Sequence, residues 1–301
     1  MHKLVAELEQ AKVGIVRMNE PLAGYTTWKI GGPADIFIIP GTEEELATAL
    51  QLLHRHGIPW CVLGRGSNTL VSDKGVRGAV IRLGDGFDNV RFEDETVSAG
   101  ASYSFIKLSV MTGKEGLTGL EFAGGIPGTV GGAVYMNAGA HSSDISRILQ
   151  SADIVWEDGS RAVFGNEEMQ FSYRHSILHE RRGIVTGAAF RLAVGDRKEI
   201  AAAMASYKDR RRRTQPLQSA TAGSVFRNPP NDHAARLIEA AGLKGLREGA
   251  AEISQVHANF IVNQGGASAE DVLTLMQRVQ LTIERTNGVL LVPEVLLLGE
   301  R

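Results

Sequence analysis

Apolar and polar positions in the first part of the chain predict a helix followed by a strand. Thr42 is followed three positions later by Glu45, the arrangement that caps a helix start. Apolar residues then recur at helical spacing, at Leu46, Ala49, Leu50 and Leu53. Gly57 predicts the helix end, and the apolar run 58–63 predicts a strand that ends at Gly64. A glycine-containing turn is therefore expected at the carboxyl end of a strand.

The same patterns predict several further elements before residue 196. Strands are expected at 79–83, 96–101, 152–156, 161–164 and 184–192, with a helix near 103–111. The intervening stretch 116–140 has no steady period and is rich in glycine. A structureless stretch of that length inside a compact domain is usually functional. A ligand-binding role is therefore expected for this stretch.

Helical periods dominate the last third of the chain. Helices are predicted at 197–213 and 232–241, and a longer one opens at Ser268. The apolar side of this longer helix consists of Val272, Leu275, Met276, Val279 and Ile283. Strands are predicted around Phe260 and at 290–298. We expect an α+β chain of two domains, residues 1–195 (core about 29–194) and 196–301, without an internal repeat.

Composition and charge narrow the classes of protein. The 301-residue chain has 43% hydrophobic and 22% charged residues, and its net charge of −2 gives no general field for nucleic acid or a membrane surface. Cys61 is the only cysteine, so an internal disulfide and a four-cysteine zinc site are both excluded, and we expect no metal centre. The start is charged too early for a signal peptide, and no apolar run approaches the ~20 residues of a membrane span. We therefore expect a cytoplasmic protein that binds neither nucleic acid nor a membrane.

The first glycine-rich turn follows the strand that ends at Gly64. Its candidate ligand-binding residues are Gly64, Arg65, Gly66, Ser67, Asn68 and Thr69. Bare backbone N–H groups in such a turn can hold a pyrophosphate, and Arg65 adds positive charge. A dinucleotide-binding G-x-G-x-x-G pattern would need glycine where Thr69 stands, and no helix pattern or P-loop pattern follows. A single turn of this kind is more often only a pair of tight turns.

A second and longer glycine loop changes that interpretation. Its candidate residues are Gly124, Gly125, Ile126, Pro127, Gly128, Thr129, Gly132 and Ala133. Five glycines and one proline lie within nine residues, 124–132. Thr129 follows Gly128 and can open a short helix whose N-terminal amides face an anion. Two such loops in one domain favour a phosphorylated ligand over tight turns.

Together the two loops resemble the FAD-binding domain of the vanillyl-alcohol-oxidase (PCMH) type. The resemblance rests on Leu63-Gly64-Arg65-Gly66-Ser67-Asn68-Thr69-Leu70 and Gly125-Ile126-Pro127-Gly128-Thr129-Val130-Gly131-Gly132. It implies two subdomains that hold FAD, with amides of these loops on the pyrophosphate. The segment 26–35 resembles the first strand of that domain, and Val185 is implied to return near the flavin pocket.

Three further segments carry a closer resemblance. They are Phe171-Ser172-Tyr173-Arg174, Ala222-Gly223-Ser224-Val225-Phe226-Arg227-Asn228-Pro229 and Val292-Pro293-Glu294-Val295. Individually, Arg174 suits a surface ion pair, Ser224 a turn cap, and Glu294 a structural carboxylate within an apolar strand. In this order, after FAD loops, they resemble the MurB reductases over nearly the whole chain.

The MurB resemblance implies a specific reaction. The family reduces UDP-N-acetylglucosamine enolpyruvate to UDP-N-acetylmuramate in peptidoglycan precursor synthesis, with NADPH as reductant and non-covalent FAD. By resemblance, Ser224 delivers a proton to the α-carbon, while Arg174 and Glu294 stabilise charge on the substrate carboxylate. Glu294 beside a carboxylate would have to be protonated or bridged by a cation or water.

Substrate contacts are less well defined by the sequence. Arg212, in the run 210–213, is a candidate for the diphosphate, although a basic run at a helix end is more often solvated. Tyr173 and Asn228 are the other candidates. His257 and Asn259 match a family segment, with their role left open. The chain is too short between Arg174 and Ser224 for an added tyrosine loop, so it resembles the shorter type of the family, and we expect a monomer.

Three rival functions remain possible at this stage. An oxidase of the same fold could attach FAD covalently, and Cys61 lies just before the first loop, although its apolar neighbours indicate a buried strand residue. A binding module without turnover would need the loops but not the three catalytic candidates. A nucleotide-sugar transferase would share the UDP-type substrate and would be colourless.

Overall fold

The computed structural model of the chain describes residues 1–300. The helices are α1 His2–Gln10, α2 Glu43–Arg55, α3 Phe105–Glu115, α4 Val130–Tyr135, α5 Arg197–Thr214, α6 Ala234–Ala240 and α7 Ala269–Asn287. The strands up to residue 144 are β1 Ile15–Pro21, β2 Pro33–Ile39, β3 Trp60–Val62, β4 Thr69–Val71, β5 Val76–Ile81, β6 Val90–Glu93, β7 Thr96–Gly100, β8 Leu117–Thr118, β9 Gly139–Ala140 and β10 Ser143–Asp144. The later strands are β11 Leu149–Trp156, β12 Arg161–Gly165, β13 Gly183–Arg191, β14 Ala193–Val194, β15 Arg247–Glu248, β16 Ala251–Ile253, β17 Ile261–Asn263 and β18 Leu296–Leu298.

Two predicted helix starts, those at Thr42 and Ser268, are confirmed by their capping hydrogen bonds, whereas the helix predicted from Asp232 begins at Ala234 without a side-chain cap. Thr42 Oγ1 accepts a hydrogen bond from the N–H of Glu45 at 3.2 Å, and α2 begins at the next residue after Thr42. The Glu45 carboxylate bonds the N–H of Gly41 at 2.6 Å, so the reciprocal bond of the capping box falls one residue earlier than the pattern implies. At α7, Ser268 and Asp271 form the complete box. None of the helices within residues 1–300 is long and apolar enough to span a bilayer.

The chain packs into two compact units that are discontinuous in sequence. Unit 1 comprises Met1–Met18, Ile36–Gly64 and Gly78–Arg210, and unit 2 comprises Asn19–Asp35, Arg65–Arg77 and the described residues from Arg211 onward. These units are defined by contacts and are made of several chain segments, so they do not test a boundary between two consecutive residues. The boundary at 195/196 therefore stays a prediction.

Unit 1 contains a five-stranded antiparallel sheet in the order β12-β11-β13-β7-β6. Its apolar face forms a core with α3 and α4, in which Phe105 and Phe122 meet edge to face at 6.1 Å. A second core joins the buried faces of α1 and α2 to strands β2 and β5. Strand β3 pairs in parallel with β5 and delivers the chain to Gly64.

Unit 2 is built around its own apolar core. The sheet β15-β16-β17 packs against α7, and the core includes the fully buried rings of Trp28 and Phe226. The Trp28 indole N–H donates to the carbonyl of Ile261 at 2.8 Å, which satisfies its buried donor. Strands β4 and β18 form a separate parallel pair. The first glycine turn leads into β4, and the segment of Glu294 leads into β18.

Several sequence-based expectations need correction. The strand expected at 290–298 is restricted to β18, so Glu294 lies just outside a strand, after the isolated bridge of Pro293 with Phe226. Proline lacks the N–H that a continuing ladder would use. The segment 26–35 is irregular before β2 begins at Pro33. The stretch 116–140 contains short elements, including α4, rather than an unbroken loop.

Two elements at the start of the chain have no counterpart in the sequence-based expectations, α1 and β1. The helix α1 has only nine residues. A helix of that length depends on tertiary packing rather than on its own propensity. Leu4 and Leu8 supply that packing, because both are buried in the core shared with α2.

Candidate active site

The first glycine turn is shaped by close backbone packing within unit 2. Gly66 has φ 61°, and a Cβ there would lie 2.5 Å from the carbonyl oxygen of Tyr25 and 2.6 Å from Cα of Thr26. The Gly66 carbonyl accepts hydrogen bonds from the N–H and the hydroxyl of Thr27, both at 3.2 Å. The packing of the protein itself therefore requires glycine at position 66, whether or not a ligand binds there. The turn leads into strand β4 and not into a helix, so the exclusion of a Rossmann-type site is confirmed.

The second glycine loop ends, as predicted, at the start of a short helix in unit 1. Thr129 is the N-cap of α4, and its Oγ1 accepts from the N–H of Gly132 at 3.3 Å. Gly131 packs against the end of β7, where its N–H donates to the Ala101 carbonyl at 2.9 Å and a Cβ would lie 2.9 Å from Cβ of Ala101. Gly131 is therefore needed for packing, whereas Gly132 is exposed.

The residues of unit 1 fit a dinucleotide at the start of α4. Gly64, at the end of the segment that follows β3, lies beside Thr129, and Cβ atoms on Gly64 and Gly132 would stand 3.1 Å and 3.4 Å from Thr129 Oγ1. Glycine at both positions lets a ligand approach the backbone closely. The first three N–H groups of α4 are already bonded, that of Val130 to the Tyr103 carbonyl at 2.9 Å, that of Gly131 to Ala101 and that of Gly132 to Thr129. The fit to a pyrophosphate therefore rests on this close approach and not on the amides of the helix. Val185 lies in β13 behind this loop, with its carbonyl oxygen 3.5 Å from the Cβ position of Gly131. The side chain of Val185 is buried.

Arg174 is held in a strained turn of unit 1. Ser172 and His175 bond each other's backbone at 3.1 Å and 3.2 Å, and Arg174 between them has φ 57°. This left-handed conformation is uncommon for a residue with a side chain and concentrates at functional sites. Its Nη2 donates to the carbonyl of Gly139 at 3.0 Å, and its Cζ lies 5.0 Å from the centre of the Tyr173 ring. The guanidinium is therefore fixed in place, while the ring of Tyr173 is exposed.

Asn137 supports the Arg174 turn, a role not anticipated from the sequence. Its side chain is 2% exposed. The amide Nδ2 donates to the carbonyl of Ser172 at 2.9 Å, and Oδ1 accepts from the N–H of Ser146 at 3.0 Å. Asn137 thus joins the segment around β9 and β10 to the turn of Arg174. The available signal was the Asn137-Ala138-Gly139 motif that follows the second glycine loop.

In unit 2 the backbone pairs the Ser224 segment with the Glu294 segment. Glu294 donates its N–H to the Val225 carbonyl at 2.8 Å, and the Arg227 N–H donates to the carbonyl of Val292, also at 2.8 Å. Ser224 is half-buried and follows Gly223, whose φ of 79° is the reason for glycine there, because nothing lies within 4 Å of its Cβ position. Two of the three predicted catalytic residues are therefore neighbours within one unit.

The first glycine turn supports the Glu294 segment as well. Asn68 donates from Nδ2 to the Glu294 carbonyl at 3.1 Å. The Asn68 carbonyl in turn accepts from the N–H of Leu296 at 2.9 Å. A cofactor contact of Asn68 stays a prediction. Its observed bonds fix the backbone that carries Glu294.

Asn228 and Arg212 are the remaining substrate candidates. Asn228 Oδ1 accepts from the N–H of Ala234 at 3.1 Å, at the start of α6. Arg212 is exposed on the last turn of α5. Its neighbour Arg211 donates to Gln215 Oε1 at 2.9 Å, and burial lowers the pKa of the Arg211 guanidinium. Substrate contacts by Asn228 and Arg212 stay predictions.

Cys61 lies in β3, as the sequence predicts. Burial raises the pKa of its thiol to about 11, with Arg182 as a smaller opposing influence. The thiol is therefore protonated at neutral pH, and only the thiolate is a good nucleophile. This chemistry does not favour covalent flavin attachment at Cys61. Across residues 1–300, no three His, Cys, Asp or Glu side chains are grouped to hold a metal ion.

Similarity to known proteins extends over the whole chain. Residues 215–298 match the C-terminal domain of UDP-N-acetylenolpyruvoylglucosamine reductase, and residues 34–165 match an FAD binding domain. The reductase of Anoxybacillus flavithermus is 52% identical over 302 residues, covering 100% of both chains. That of Bacillus subtilis is 49% identical over 300 residues, covering 99% of each. The chain belongs to the UDP-N-acetylenolpyruvoylglucosamine reductase (MurB) family.

Solved structures agree with this membership of the MurB family. The crystal structure of MurB from Thermus caldophilus has a TM-score of 0.81 at 38% identity, and covers 95% of this chain and 98% of that chain. A Phl p 4 variant, a glucose oxidase, has a TM-score of 0.51 at 14% identity over 64% of this chain and 44% of its own, a likeness of fold alone. The predicted α+β, FAD-binding fold is confirmed. The protein is a flavin-dependent oxidoreductase, which excludes the binding module and the sugar transferase.

Proposed function

We propose that this MurB protein reduces UDP-N-acetylglucosamine enolpyruvate to UDP-N-acetylmuramate with NADPH, through non-covalently bound FAD. The observation that carries the proposal is the backbone pairing of the Ser224 and Glu294 segments in unit 2, with Glu294 N–H on the Val225 carbonyl at 2.8 Å. Ser224 and Glu294 lie on adjoining segments, which supports a role for a hydroxyl and a carboxylate at one site. A cytoplasmic location and a monomeric state belong to the same proposal.

The glycine loops are proposed to hold FAD. Glycine at positions 64 and 132 allows a pyrophosphate to approach the backbone closely beside the cap Thr129. FAD held there would supply hydride transfer from NADPH to the enolpyruvyl β-carbon. The high pKa of Cys61 supports non-covalent attachment, since that thiol is protonated at neutral pH.

Ser224 is proposed as the proton donor. Reduction of the enolpyruvyl double bond adds a hydride to the β-carbon, so that a proton must reach the α-carbon. The hydroxyl of Ser224 supplies this proton as a general acid. Gly223, with φ 79°, and the paired backbone on either side of Val225 set the direction of the turn that carries the hydroxyl.

Arg174 is proposed to stabilise the negative charge that develops on the substrate carboxylate, and Glu294 to act on the same group through a shared proton, a cation or a bridging water. Arg174 is suited to this because its Nη2 already donates to the Gly139 carbonyl at 3.0 Å, which restricts the guanidinium before substrate binds. Fixed charges of this kind stabilise a transition state without reorganisation. Glu294 is held through its backbone by Val225 and Asn68. Tyr173, Asn228 and Arg212 are proposed as substrate contacts.

An anaerobic spectral titration tests the proposal. The purified holoenzyme is reduced with NADPH, and the enolpyruvyl nucleotide sugar is then added while flavin absorbance is followed. We expect bleaching by NADPH and recovery of the oxidised spectrum with the substrate. Recovery only with oxygen would instead support the oxidase, and a colourless protein would contradict the flavin assignment. Release of flavin on denaturation tests non-covalent attachment.

A further inference from the structure

One buried side chain of unit 2, Asn259, is bonded to both polar groups of the Phe226 backbone. Its Oδ1 accepts from the N–H of Phe226 at 3.0 Å, and its Nδ2 donates to the Phe226 carbonyl at 2.8 Å. Asn259 is only 4% exposed. Because the carboxamide has one acceptor end and one donor end, these two bonds also fix its orientation.

Asn259 is bound to the serine segment by its own backbone too. Its carbonyl accepts from the N–H of Val225 at 2.9 Å, and the Val225 carbonyl accepts from the Glu294 N–H at 2.8 Å. Val225 directly follows Ser224. The three bonds from Asn259 therefore hold the two residues after the serine, while the Glu294 segment is bonded to the same residue, Val225.

We propose that Asn259 is a positioning residue for the proton donor: it sets where the Ser224 hydroxyl lies without touching the substrate. This inference rests on the proposed function, because it assumes that Ser224 supplies the proton. Proton transfer requires the donor within hydrogen-bond reach of the acceptor, and a misplacement of about 1 Å can reduce a rate on the order of a hundredfold. Reduction of the flavin by NADPH does not need this hydroxyl, whereas reoxidation by the substrate is complete only when the α-carbon has taken up the proton.

Variants of Asn259 can be compared with a variant of a core residue, which separates an effect on proton transfer from a general loss of stability of unit 2. Asn259→Ala removes the two side-chain bonds to Phe226. Asn259→Asp keeps the size and an acceptor for the Phe226 N–H but removes the donor to its carbonyl. Val279→Ala is the matched control, because Val279 lies in the same core on α7 and is 1% exposed. Its truncation destabilises unit 2 and leaves every bond to the serine segment in place.

The experiment measures both half-reactions of the holoenzymes in single turnover, in H₂O and in D₂O. For both Asn259 variants we expect reduction by NADPH at the wild-type rate, and reoxidation by the enolpyruvyl substrate slowed about tenfold to a hundredfold. The solvent isotope effect on reoxidation should increase, because proton delivery becomes limiting. Val279→Ala should keep the wild-type rates and isotope effect.

Three outcomes would overturn the inference. The first is reoxidation of the Asn259 variants that matches Val279→Ala, and the second is an isotope effect that stays at the wild-type value. The third is failure of both variants to bind FAD, which would make Asn259 a folding residue. A wild-type enzyme that the substrate does not reoxidise would contradict the proposed function itself, so the two failures are distinguishable.

Discussion

Two buried asparagines hold the turns that carry the candidate catalytic side chains, each within its own unit. Asn137 bonds the carbonyl of Ser172, two residues before Arg174, and Asn259 bonds Phe226, two residues after Ser224. Both are under 5% exposed, at 2% and 4%. A buried amide with both ends paired specifies one backbone arrangement, because any other leaves a polar group without a partner. At the residue scale, the site is thus positioned by side chains that need not touch a ligand.

Replacing Arg174 by lysine tests whether a fixed, planar cation is required. A guanidinium is a planar set of donors, of which Nη2 of Arg174 bonds the Gly139 carbonyl at 3.0 Å, whereas lysine keeps the charge but lacks this planar set. We expect substrate reoxidation of the flavin to slow on the order of a hundredfold, with NADPH reduction unchanged. Arg191→Lys is the control, since Arg191 makes an exposed ion pair with Glu95 at 2.9 Å. Equal reoxidation rates for the two variants would contradict the role of Arg174.

Protonation of His257 should weaken unit 2. Burial, followed by the nearby charge of Lys244, lowers the pKa of His257, and Glu239 opposes this slightly. Its Nδ1 accepts from the Asn259 N–H at 3.2 Å, which requires the unprotonated nitrogen. Since the folded pKa lies below the unfolded one, the unfolded state binds more protons, and stability falls as pH drops through the ordinary value of about 6.5 toward the folded pKa.

Urea unfolding between pH 5 and pH 8 measures this effect of His257. The comparison is with His257→Asn, whose Oδ1 can take the place of Nδ1 as an acceptor but does not titrate in this range. We expect the wild-type midpoint to fall more steeply at acid pH than that of the variant. Parallel pH dependences would show that His257 does not contribute.

At the scale of the element, glycine is required for different reasons at different turns. Gly66 combines a positive φ of 61° with backbone atoms 2.5 Å and 2.6 Å from its Cβ position. Gly242, which follows α6, has a positive φ of 70° and nothing within 4 Å. The first position excludes a side chain by both contact and conformation, and the second by conformation alone.

A pair of alanine substitutions separates these two causes. Gly242→Ala should lower the free energy of unfolding by roughly 1 kcal/mol, the cost of the left-handed conformation alone. Gly66→Ala should lower it by more, because the Tyr25 carbonyl and the Thr26 backbone would also have to move. The measurement is urea unfolding, with FAD content as a second readout. Equal losses at the two positions would contradict the packing argument for Gly66.

At the scale of the whole molecule, the sequence was informative where structure is local or the motif is long. The period of Leu46, Leu50 and Leu53 predicted α2, and the long glycine motifs led to the family. The contacts of Asn259 with Phe226 span 33 positions, and the bond of Trp28 to Ile261 spans 233. Periodicity contains no information about such pairings. The late start of β18, at Leu296 and therefore after Glu294, was missed although Pro293 was a local signal, because proline lacks the N–H that a strand ladder uses.

The flavin enzyme is proposed to reduce an enolpyruvyl substrate with Ser224 as proton donor. Anaerobic single turnover of Ser224→Ala tests this proposal most directly, with Ser219→Ala, an exposed serine of the same unit, as control. We expect NADPH to reduce Ser224→Ala at the wild-type rate. We expect the substrate to reoxidise it at about one hundredth of the wild-type rate or below. Ser219→Ala should follow the wild type in both steps. Reoxidation of Ser224→Ala at the wild-type rate would contradict the account.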